Sequence, residues 1–172
     1  MFFKWFEIMN EELLFCNANE GDTDEVLRLY ESVKGTGYCR WNQDYPSLET
    51  IKFDLSRDAL YVLKNEQGEI IGAISVDNDE NVNRLTCFSD VGTSFAEVSR
   101  LAISKSYQNR GLACYLVRKV MEFLKEKGYV QMRYMVSKNN PVAIQSYKKL
   151  DFKRVGEAVM YDDEYWCYEK ML

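Results

Sequence analysis

Residues 95–128, FAEVSRLAISKSYQNRGLACYLVRKVMEFLKEKG, contain a strand-like run, a polar loop and a helix-like run in that order. The first run, 95–103, ends in the mostly apolar VSRLAI and is predicted as a strand. After the loop, four aliphatic side chains recur at helical spacing and form one stripe: Leu112, Leu116, Val120 and Leu124. Gly128 is expected to end this helix. The stretch therefore predicts a strand that leads through residues 106–113 into an amphipathic helix.

The loop SYQNRGLA, residues 106–113, has the chemistry of a phosphate-binding turn. A helix N-terminus presents unpaired N–H groups and partial positive charge, so it binds phosphate without basic side chains. Gly111 and Ala113 keep the approach open, and Arg110 could add a charged hydrogen bond. The GxxxxGK[ST] and GxGxxG patterns are missing, which argues against nucleoside triphosphates and NAD. Taken alone, such a loop is more often an ordinary connection between a strand and a helix.

The rest of the chain predicts one α+β domain around a large mixed sheet. Asp22, with Glu25 three residues later, is expected to start a first helix as a capping box. Ser47 and Asn140 are expected to cap two later helices. Further strands are predicted at 13–18, in a hairpin over 59–77, at 129–136 and in two segments near the C-terminus, with one more proposed at 82–88.

A second segment, NNPVAIQSYKKLDFKRVGE at 139–157, makes the loop part of a larger pattern. The two segments together resemble the central motifs of the GNAT superfamily of N-acetyltransferases. Gln108, Gly111 and Ala113 match the pyrophosphate-loop pattern Q/R-x-x-G-x-G/A. Five positions match the second motif, N-x-x-A-x-x-L-Y-x-K-x-G-F: Asn140, Ala143, Tyr147, Lys149 and Phe152. Ser146 and Asp151 replace the usual Leu and Gly, so the turn after this helix is less standard.

The resemblance covers about residues 12–172 and implies a three-layer α/β/α fold. Its mixed, mostly antiparallel sheet would have about six or seven strands, flanked by about four helices. Residues 1–11 are assigned to an N-terminal extension, which is either a product of the start site or an added interaction surface. The implied activity is direct transfer of an acetyl group from acetyl-CoA to a primary amine, with a small molecule as the expected acceptor. A protein N-terminal or lysine acetyltransferase and a non-catalytic acyl-CoA-binding module remain alternatives.

The resemblance also implies where acetyl-CoA binds. Its pantetheine is expected along the strand backbone at Leu101, Ala102 and Ile103. Its pyrophosphate is expected on the loop residues, which are Gln108, Asn109, Arg110, Gly111, Leu112 and Ala113. Asn140 could also bond to acetyl-CoA, although N-capping alone explains its presence.

The chain contains no histidine, which excludes serine–histidine triads and every histidine-based proton relay. Glu97 is the first candidate for the base, because some family members carry a catalytic glutamate at the matching strand position. Alternation places Glu97 and Ser99 on one face of the strand. A solvated glutamate, a glutamate paired with Arg100, and a base that acts through water remain alternatives.

Tyr147 is the candidate acid, because a phenol can return a proton to a thiolate of similar basicity. A tyrosine that only faces the core is the alternative. A backbone N–H near Leu101 is expected to polarise the thioester carbonyl. Cys114 lies in the helix without an identifiable neighbouring base, so it is interpreted as a buried free cysteine rather than a nucleophile.

The acceptor site has a weaker signature. The family shapes its acceptor pocket between the first two helices, where this chain has Tyr38, Trp41 and Tyr45 beside Asp44. Aromatic rings with a carboxylate suit a cationic amine. Packing of these rings onto the domain fits the residues equally well.

Composition limits the remaining possibilities. The formal net charge of −5 argues against nucleic acid as a partner. Five widely spaced cysteines without a CxxC pair predict reduced thiols in a cytoplasmic protein, and no metal site. The charged residues near the start of the chain argue against a membrane span. A monomer and a homodimer are both compatible with the sequence.

Overall fold

A computed structural model describes residues 4–8, 11–77 and 79–172. These residues form one sheet of eight strands in the order β1-β2-β3-β4-β5-β6-β8-β7. The strands are β1 (Lys4–Ile8), β2 (Glu11–Asn17), β3 (Leu60–Lys64), β4 (Ile70–Asp77), β5 (Phe95–Ile103), β6 (Gln131–Ser137), β7 (Lys153–Met160) and β8 (Asp163–Met171). Neighbouring strands are antiparallel except β5 and β6, which are parallel.

The described part of the chain contains five α-helices, four of which cover the two faces of the sheet. They are α1 (Thr23–Val33), α2 (Leu48–Ser56), α3 (Glu80–Asn83), α4 (Leu112–Glu126) and α5 (Pro141–Lys148). On one face, α1 and α2 bury side chains such as Val26 and Ile51 against β3, β4 and β5. On the other face, α4 and α5 bury side chains such as Leu116 and Tyr147 against the same sheet. The predicted three-layer fold with a mixed, mostly antiparallel sheet is confirmed.

The strand count exceeds the expected six or seven because Lys4–Ile8 pairs with β2. These residues belong to the segment that the sequence assigned to an N-terminal extension. The division into residues 1–11 and 12–172 stays a prediction. Among the residues that the structure describes, no helix combines the length and apolar character needed to cross a membrane.

The predicted strand at 82–88 is wrong. Asp79 caps the short helix α3 instead, because its side chain accepts a hydrogen bond from the Asn81 N–H at 2.8 Å. Val82 and Phe88 are buried against Ala158 of β7 and neighbouring residues. The apolar residues of this segment therefore cover the end of the sheet rather than extend it.

The capping box predicted at Asp22 and Glu25 is also wrong. Asp22 stands at the N-cap of α1, but its side chain makes no capping hydrogen bond there. It accepts hydrogen bonds from Asn19, which caps the preceding 3-10 turn, and from Lys64 Nζ at 2.6 Å. Glu25 instead accepts from the Ile70 N–H at 2.7 Å. The two carboxylates thus join the first helix to the β3–β4 hairpin, which lies about 45 residues further along the chain.

Two other caps are found where the sequence places them. The Ser47 side chain accepts from the Thr50 N–H at 3.2 Å at the start of α2. Asn140 Oδ1 accepts from the Ala143 N–H at 3.0 Å at the start of α5, with Pro141 at the first helical position. In α4, the predicted stripe of Leu112, Leu116, Val120 and Leu124 is buried.

Candidate active site

A gap opens between the parallel strands β5 and β6. The two strands pair over three residues, from Phe95 with Gln131 to Glu97 with Arg133. Among the described residues, no further register pair joins them, although β5 continues to Ile103 and β6 to Ser137. The facing backbone groups beyond Glu97 and Arg133 are therefore available to a ligand that inserts between the strands.

A β-bulge interrupts β5 beside this gap. The register with β4 shifts between Ala73 and Ser75, so that Arg100 and Leu101 together lie opposite one β4 residue. Arg100 has φ 51°, an unusual left-handed conformation for a residue other than glycine. The bulge changes which side chains face each layer. Ala96 and Val98 pack towards α4 and α5, whereas Ala102, the first residue after the bulge, packs towards α1 and α2.

The loop after β5 is tied to the end of the strand. Gln108 Nε2 donates a hydrogen bond to the Ile103 carbonyl at 3.0 Å. Asn109 and Gly111 both have positive φ, 63° and 80°, which brings the loop round to the start of α4. Gly111 occupies the N-cap and has no side chain that could cap the helix. A Cβ at this position would meet no atom of residues 4–8, 11–77 or 79–172 within 4 Å. The first amides of α4 are therefore open to an anion from solvent.

Arg110, Leu112 and Ala113, which are also predicted for the donor site, lie in this loop or in the first turn of α4, whereas Asn140 lies at the start of α5. Arg110 places its guanidinium over the Tyr107 ring at 4.9 Å from the centroid. Ala113 is partly buried against the core, and Leu112 is buried within it. Asn140 caps α5 as described, which accounts for its side-chain oxygen.

Tyr147 lies where the start of α4 meets α5. Cys114, in the first turn of α4, donates a hydrogen bond from Sγ to the Ser146 carbonyl at 3.2 Å. Burial is the main cause that raises the pKa of Tyr147, and the neighbouring Cys114 raises this pKa further. The Tyr147 ring lies 4.1 Å, centroid to centroid, from that of Tyr134, the first β6 residue beyond the last β5–β6 pair. These contacts bring the phenol of Tyr147 close to the gap.

Glu97 is buried on the face of β5 opposite to Ala96 and Val98, with 5% of its surface exposed. Its carboxyl group accepts a hydrogen bond from the Asp79 backbone, and Oε2 has no hydrogen-bond partner among the described residues. Its pKa is raised to about 8, first by burial and then by the negative charges of Asp77 and Asp79, while the Arg100 charge lowers it by less. The interpretation of Glu97 as a solvated surface residue is therefore wrong.

Arg100 is not the partner of Glu97. Its Nε and Nη2 donate to the two carboxylate oxygens of Asp54 in α2, each at 2.9 Å. Its Nη1 donates to Asp77 Oδ2 at 2.5 Å and to the Tyr45 hydroxyl at 2.9 Å. One buried guanidinium thus joins the β5 bulge to α2, to β4 and to the loop between α1 and α2.

The aromatic loop between α1 and α2 lies on the same face as Glu97. Trp41 packs edge-on against Tyr30 of α1 and against Tyr45, at 5.2 and 6.5 Å between centroids. Tyr38 is half exposed. Arg40 pairs with Asp163 at the start of β8 at 3.2 Å, so the loop contacts the β7–β8 hairpin. The hydroxyl of Tyr161 in the turn of that hairpin donates to Asp79.

Two parts of this site have no signal in the sequence. Tyr134 is the first β6 residue beyond the paired part and carries a buried hydroxyl, but it alternates with the apolar Met132 and Val136, so its position reads as an ordinary core position. Asp54 lies on a helix where its neighbours predict an ordinary polar position. The described residues contain no group of three or more cysteine, aspartate or glutamate side chains that could hold a metal ion.

The chain matches the family model described as acetyltransferase (GNAT) family over residues 25–152. It is 25% identical over 143 residues to a β-lysine N(6)-acetyltransferase from Methanococcus maripaludis, covering 83% of this chain and 46% of that protein. It is 28% identical over 91 residues to N-alpha-acetyltransferase 30 from Schizosaccharomyces pombe, covering 51% of this chain and 61% of that protein. The chain thus spans less than two thirds of the length of these curated relatives.

Solved structures show the same fold. A GNAT-family acetyltransferase from Listeria monocytogenes superposes with a TM-score of 0.76 at 15% identity, covering 98% of this chain and 100% of that one. A ribosomal-protein-S5-alanine acetyltransferase from Vibrio fischeri superposes with a TM-score of 0.74 at 14% identity, covering 98% and 96%.

Proposed function

Because the chain belongs to the acetyltransferase (GNAT) family, we propose that it transfers an acetyl group from acetyl-CoA directly to the primary amine of a small molecule. The observation that carries this proposal is the gap beyond Glu97 and Arg133, which begins beside two proton-bearing side chains. Glu97 approaches it from the α1–α2 face and Tyr147 from the α4–α5 face. A base and an acid on opposite faces of one opening suit transfer between two substrates that meet there.

The loop and the end of β5 would hold acetyl-CoA. The uncapped amides at the start of α4 would bind the pyrophosphate, with Arg110 as an added charge. The free backbone edge of Leu101–Ile103 would bond to the pantetheine as an added strand does. When bound, acetyl-CoA supplies the activated acetyl group as a thioester.

The residues of the chain would then move two protons. Glu97, as carboxylate, takes a proton from the amine while the amine nitrogen forms its bond to the acetyl carbon. The N–H of Leu101 polarises the acetyl oxygen, as expected for a backbone donor at a bulge. The carbon–sulfur bond breaks with its electron pair on sulfur, and Tyr147 returns a proton to the thiolate. The products are the N-acetyl amine and CoA.

A small acceptor is supported by the contacts around the α1–α2 loop. The Arg40–Asp163 pair and the Tyr161–Asp79 hydrogen bond connect elements that border the Glu97 side of the gap, which favours an enclosed pocket over a long groove. The name of the Methanococcus relative also specifies an amino group of a small molecule. The five free cysteines support a reducing, cytoplasmic location.

Release of CoA thiol with a panel of acceptors tests this proposal. The panel contains small diamines and amino acids, peptides with free N-termini, and peptides with internal lysine. We expect small amines to be the preferred acceptors. Preference for peptides would favour the alternative of a protein acetyltransferase. The name of the Schizosaccharomyces pombe relative, N-alpha-acetyltransferase 30, is consistent with that alternative. CoA binding without release above background for any acceptor would favour the non-catalytic module.

A Glu97→Gln variant should lower kcat/KM about 10²-fold, because a positioned base contributes at least that factor. In the wild type, the base form of a carboxyl with pKa about 8 is lost as the pH falls through 8, so kcat/KM should fall with it. The variant should lack this limb in a profile measured with the same amine. A variant profile that coincides with that of the wild type would indicate a water relay.

Stability provides an independent readout of the same variant. The folded state keeps the Glu97 proton that the unfolded chain releases near its ordinary pKa, so the wild type should lose stability as the pH rises from about 4.5 to 8. Urea unfolding at pH 6 and pH 9 should show this loss in the wild type and a smaller loss in Glu97→Gln. Glu122→Gln, at an exposed site on α4 that pairs with Lys119, is the matched control and should change neither activity nor this difference.

A Tyr147→Phe variant should lower kcat about tenfold or more, while the dissociation constant of acetyl-CoA changes less than threefold. The six-membered aromatic ring and its packing against Tyr134 are kept, and the hydroxyl that donates the proton alone is removed. Steady-state kinetics and calorimetric titration with acetyl-CoA in the absence of acceptor separate the two effects. Equal turnover in variant and wild type would assign Tyr147 to the core.

A further inference from the structure

The hydroxyl of Tyr134 is buried among aromatic side chains. Tyr134 is 1% exposed, and its hydroxyl oxygen has no hydrogen-bond partner among the described residues. Three aromatic rings pack against the Tyr134 ring. They belong to Tyr147, Phe152 and Tyr168, with centroids 4.1, 4.8 and 5.1 Å from that of Tyr134. Phenylalanine would fill the same space without the cost of an unsatisfied polar group. A retained hydroxyl at such a site indicates a partner that is not part of the protein.

The position of Tyr134 indicates which partner this is. It follows Arg133, the last β6 residue that pairs with β5, and so lies where the gap begins. Its side chain faces α4 and α5, on the same side as the loop that would bind the pyrophosphate. Its ring contacts Tyr147, and the residue before Tyr147 accepts the Cys114 hydrogen bond from the first turn of α4. Contacts therefore run without interruption from the phosphate loop to Tyr134.

We infer that Tyr134 is a second phenol of the donor site, whose hydroxyl donates a hydrogen bond to the sulfur of acetyl-CoA. This inference rests on the proposed function. As the carbon–sulfur bond breaks, the electron pair stays on sulfur, and the Tyr134 hydroxyl stabilises that thiolate until Tyr147 supplies its proton. No proton leaves Tyr134, so it is neutral and hydrogen-bonding before and after the step. Burial raises the pKa of Tyr134, which keeps it in this donor form.

A Tyr134→Phe variant separates this role from a purely structural one. Without ligand, the variant should melt a few degrees higher, about 2–4 °C, because an unsatisfied buried hydroxyl is removed. Its kcat should fall about tenfold. CoA should bind more tightly than desulfo-CoA to the wild type, and the variant should lose that preference. Adenosine 3′,5′-bisphosphate, which lacks pantetheine, should bind to both proteins equally.

Tyr168→Phe is the matched control. Tyr168 is the register partner of Tyr134 on β8, is also buried, and stacks on the same ring, but lies one strand further from the gap. It should change neither kcat nor the preference for CoA.

The possible outcomes are distinguishable. If the wild type binds neither CoA nor acetyl-CoA, the proposed function fails first. If the wild type binds and turns over acetyl-CoA, an unchanged kcat and an unchanged preference in Tyr134→Phe overturn the inference. A lower melting temperature of the unliganded variant would also overturn it, because the hydroxyl would then have a partner within the protein.

Discussion

A Gly111→Glu variant is expected to lose at least 10³-fold in affinity for CoA while it keeps its fold. The glutamate would stand at the N-cap of α4, among the amides proposed to hold the pyrophosphate. Each pair of like charges at about 5 Å costs roughly 3 kcal/mol at an effective dielectric constant of about 20, and a pyrophosphate carries two charges. A thousandfold loss corresponds to about 4 kcal/mol, well within this repulsion.

The fold should tolerate the change. No atom of the described residues lies within 4 Å of the new Cβ, so the variant introduces no clash with them. The left-handed conformation at φ 80° costs a residue other than glycine about 1–2 kcal/mol. This cost is smaller than the free energy of unfolding of a typical domain, which is about 5–15 kcal/mol.

Gly128→Glu is the matched control, because Gly128 also has open space around its Cβ position and φ 89°, but follows the opposite end of α4. Calorimetric titration with CoA and thermal melting should be measured on both variants. Unchanged affinity in Gly111→Glu would remove the phosphate site from this loop. Equal loss of affinity in both variants would attribute the effect to net charge or to helix stability.

The strand, loop and helix around residues 95–128 could be predicted because their signals are local. The strand at Phe95–Ile103 was predicted with its observed limits, and the stripe of α4 was predicted residue by residue. Periodicity and capping depend on neighbours within a few residues, which the sequence displays directly. The same holds for Asn140 and Pro141 at the start of α5.

The polar parts of the site could not be predicted because their partners are distant along the chain. Arg100 meets Asp54, which is 46 residues away, rather than Glu97, which is three residues away. Glu97 is buried partly because Asp79, at the start of α3, lies beside it. The sequence of residues 82–88 predicts a strand there and gives no sign that a helix and loop cover this position. The orphan hydroxyl of Tyr134 is defined only by what surrounds it.

Strand β5 organises both sides of the candidate site. Before the bulge, Val98 faces α4 and α5, and Glu97 points to the opposite face of the sheet, where its charged neighbours are Asp77, Asp79 and Arg100. The extra residue at Arg100 is held by its own side chain, which the carboxylates of Asp54 and Asp77 fix from the α1–α2 face. The backbone of Leu101, expected to polarise the acetyl group, is therefore positioned by a charge network on the opposite side from the donor loop.

An Asp54→Asn variant should lower the free energy of unfolding by about 3–5 kcal/mol, because it leaves a buried guanidinium with less than its full complement of charge. Asp54 is 1% exposed and accepts from Arg100 at two atoms, from Arg57 at 2.8 Å and from Ser75 at 2.7 Å. The amide keeps the shape of the side chain but has one acceptor oxygen instead of two, and its NH₂ group faces a cation.

Glu80→Gln serves as the control for this loss, because it breaks an i,i+4 ion pair with Arg84 whose side chains are 79% and 75% exposed. Exposed pairs of this kind contribute about 0–1 kcal/mol, so the control should unfold almost like the wild type. Urea unfolding at pH 7 compares the three proteins. A loss below about 1 kcal/mol in Asp54→Asn would mean that Asp77 and Tyr45 satisfy Arg100 without Asp54, and that α2 is not required to hold the bulge.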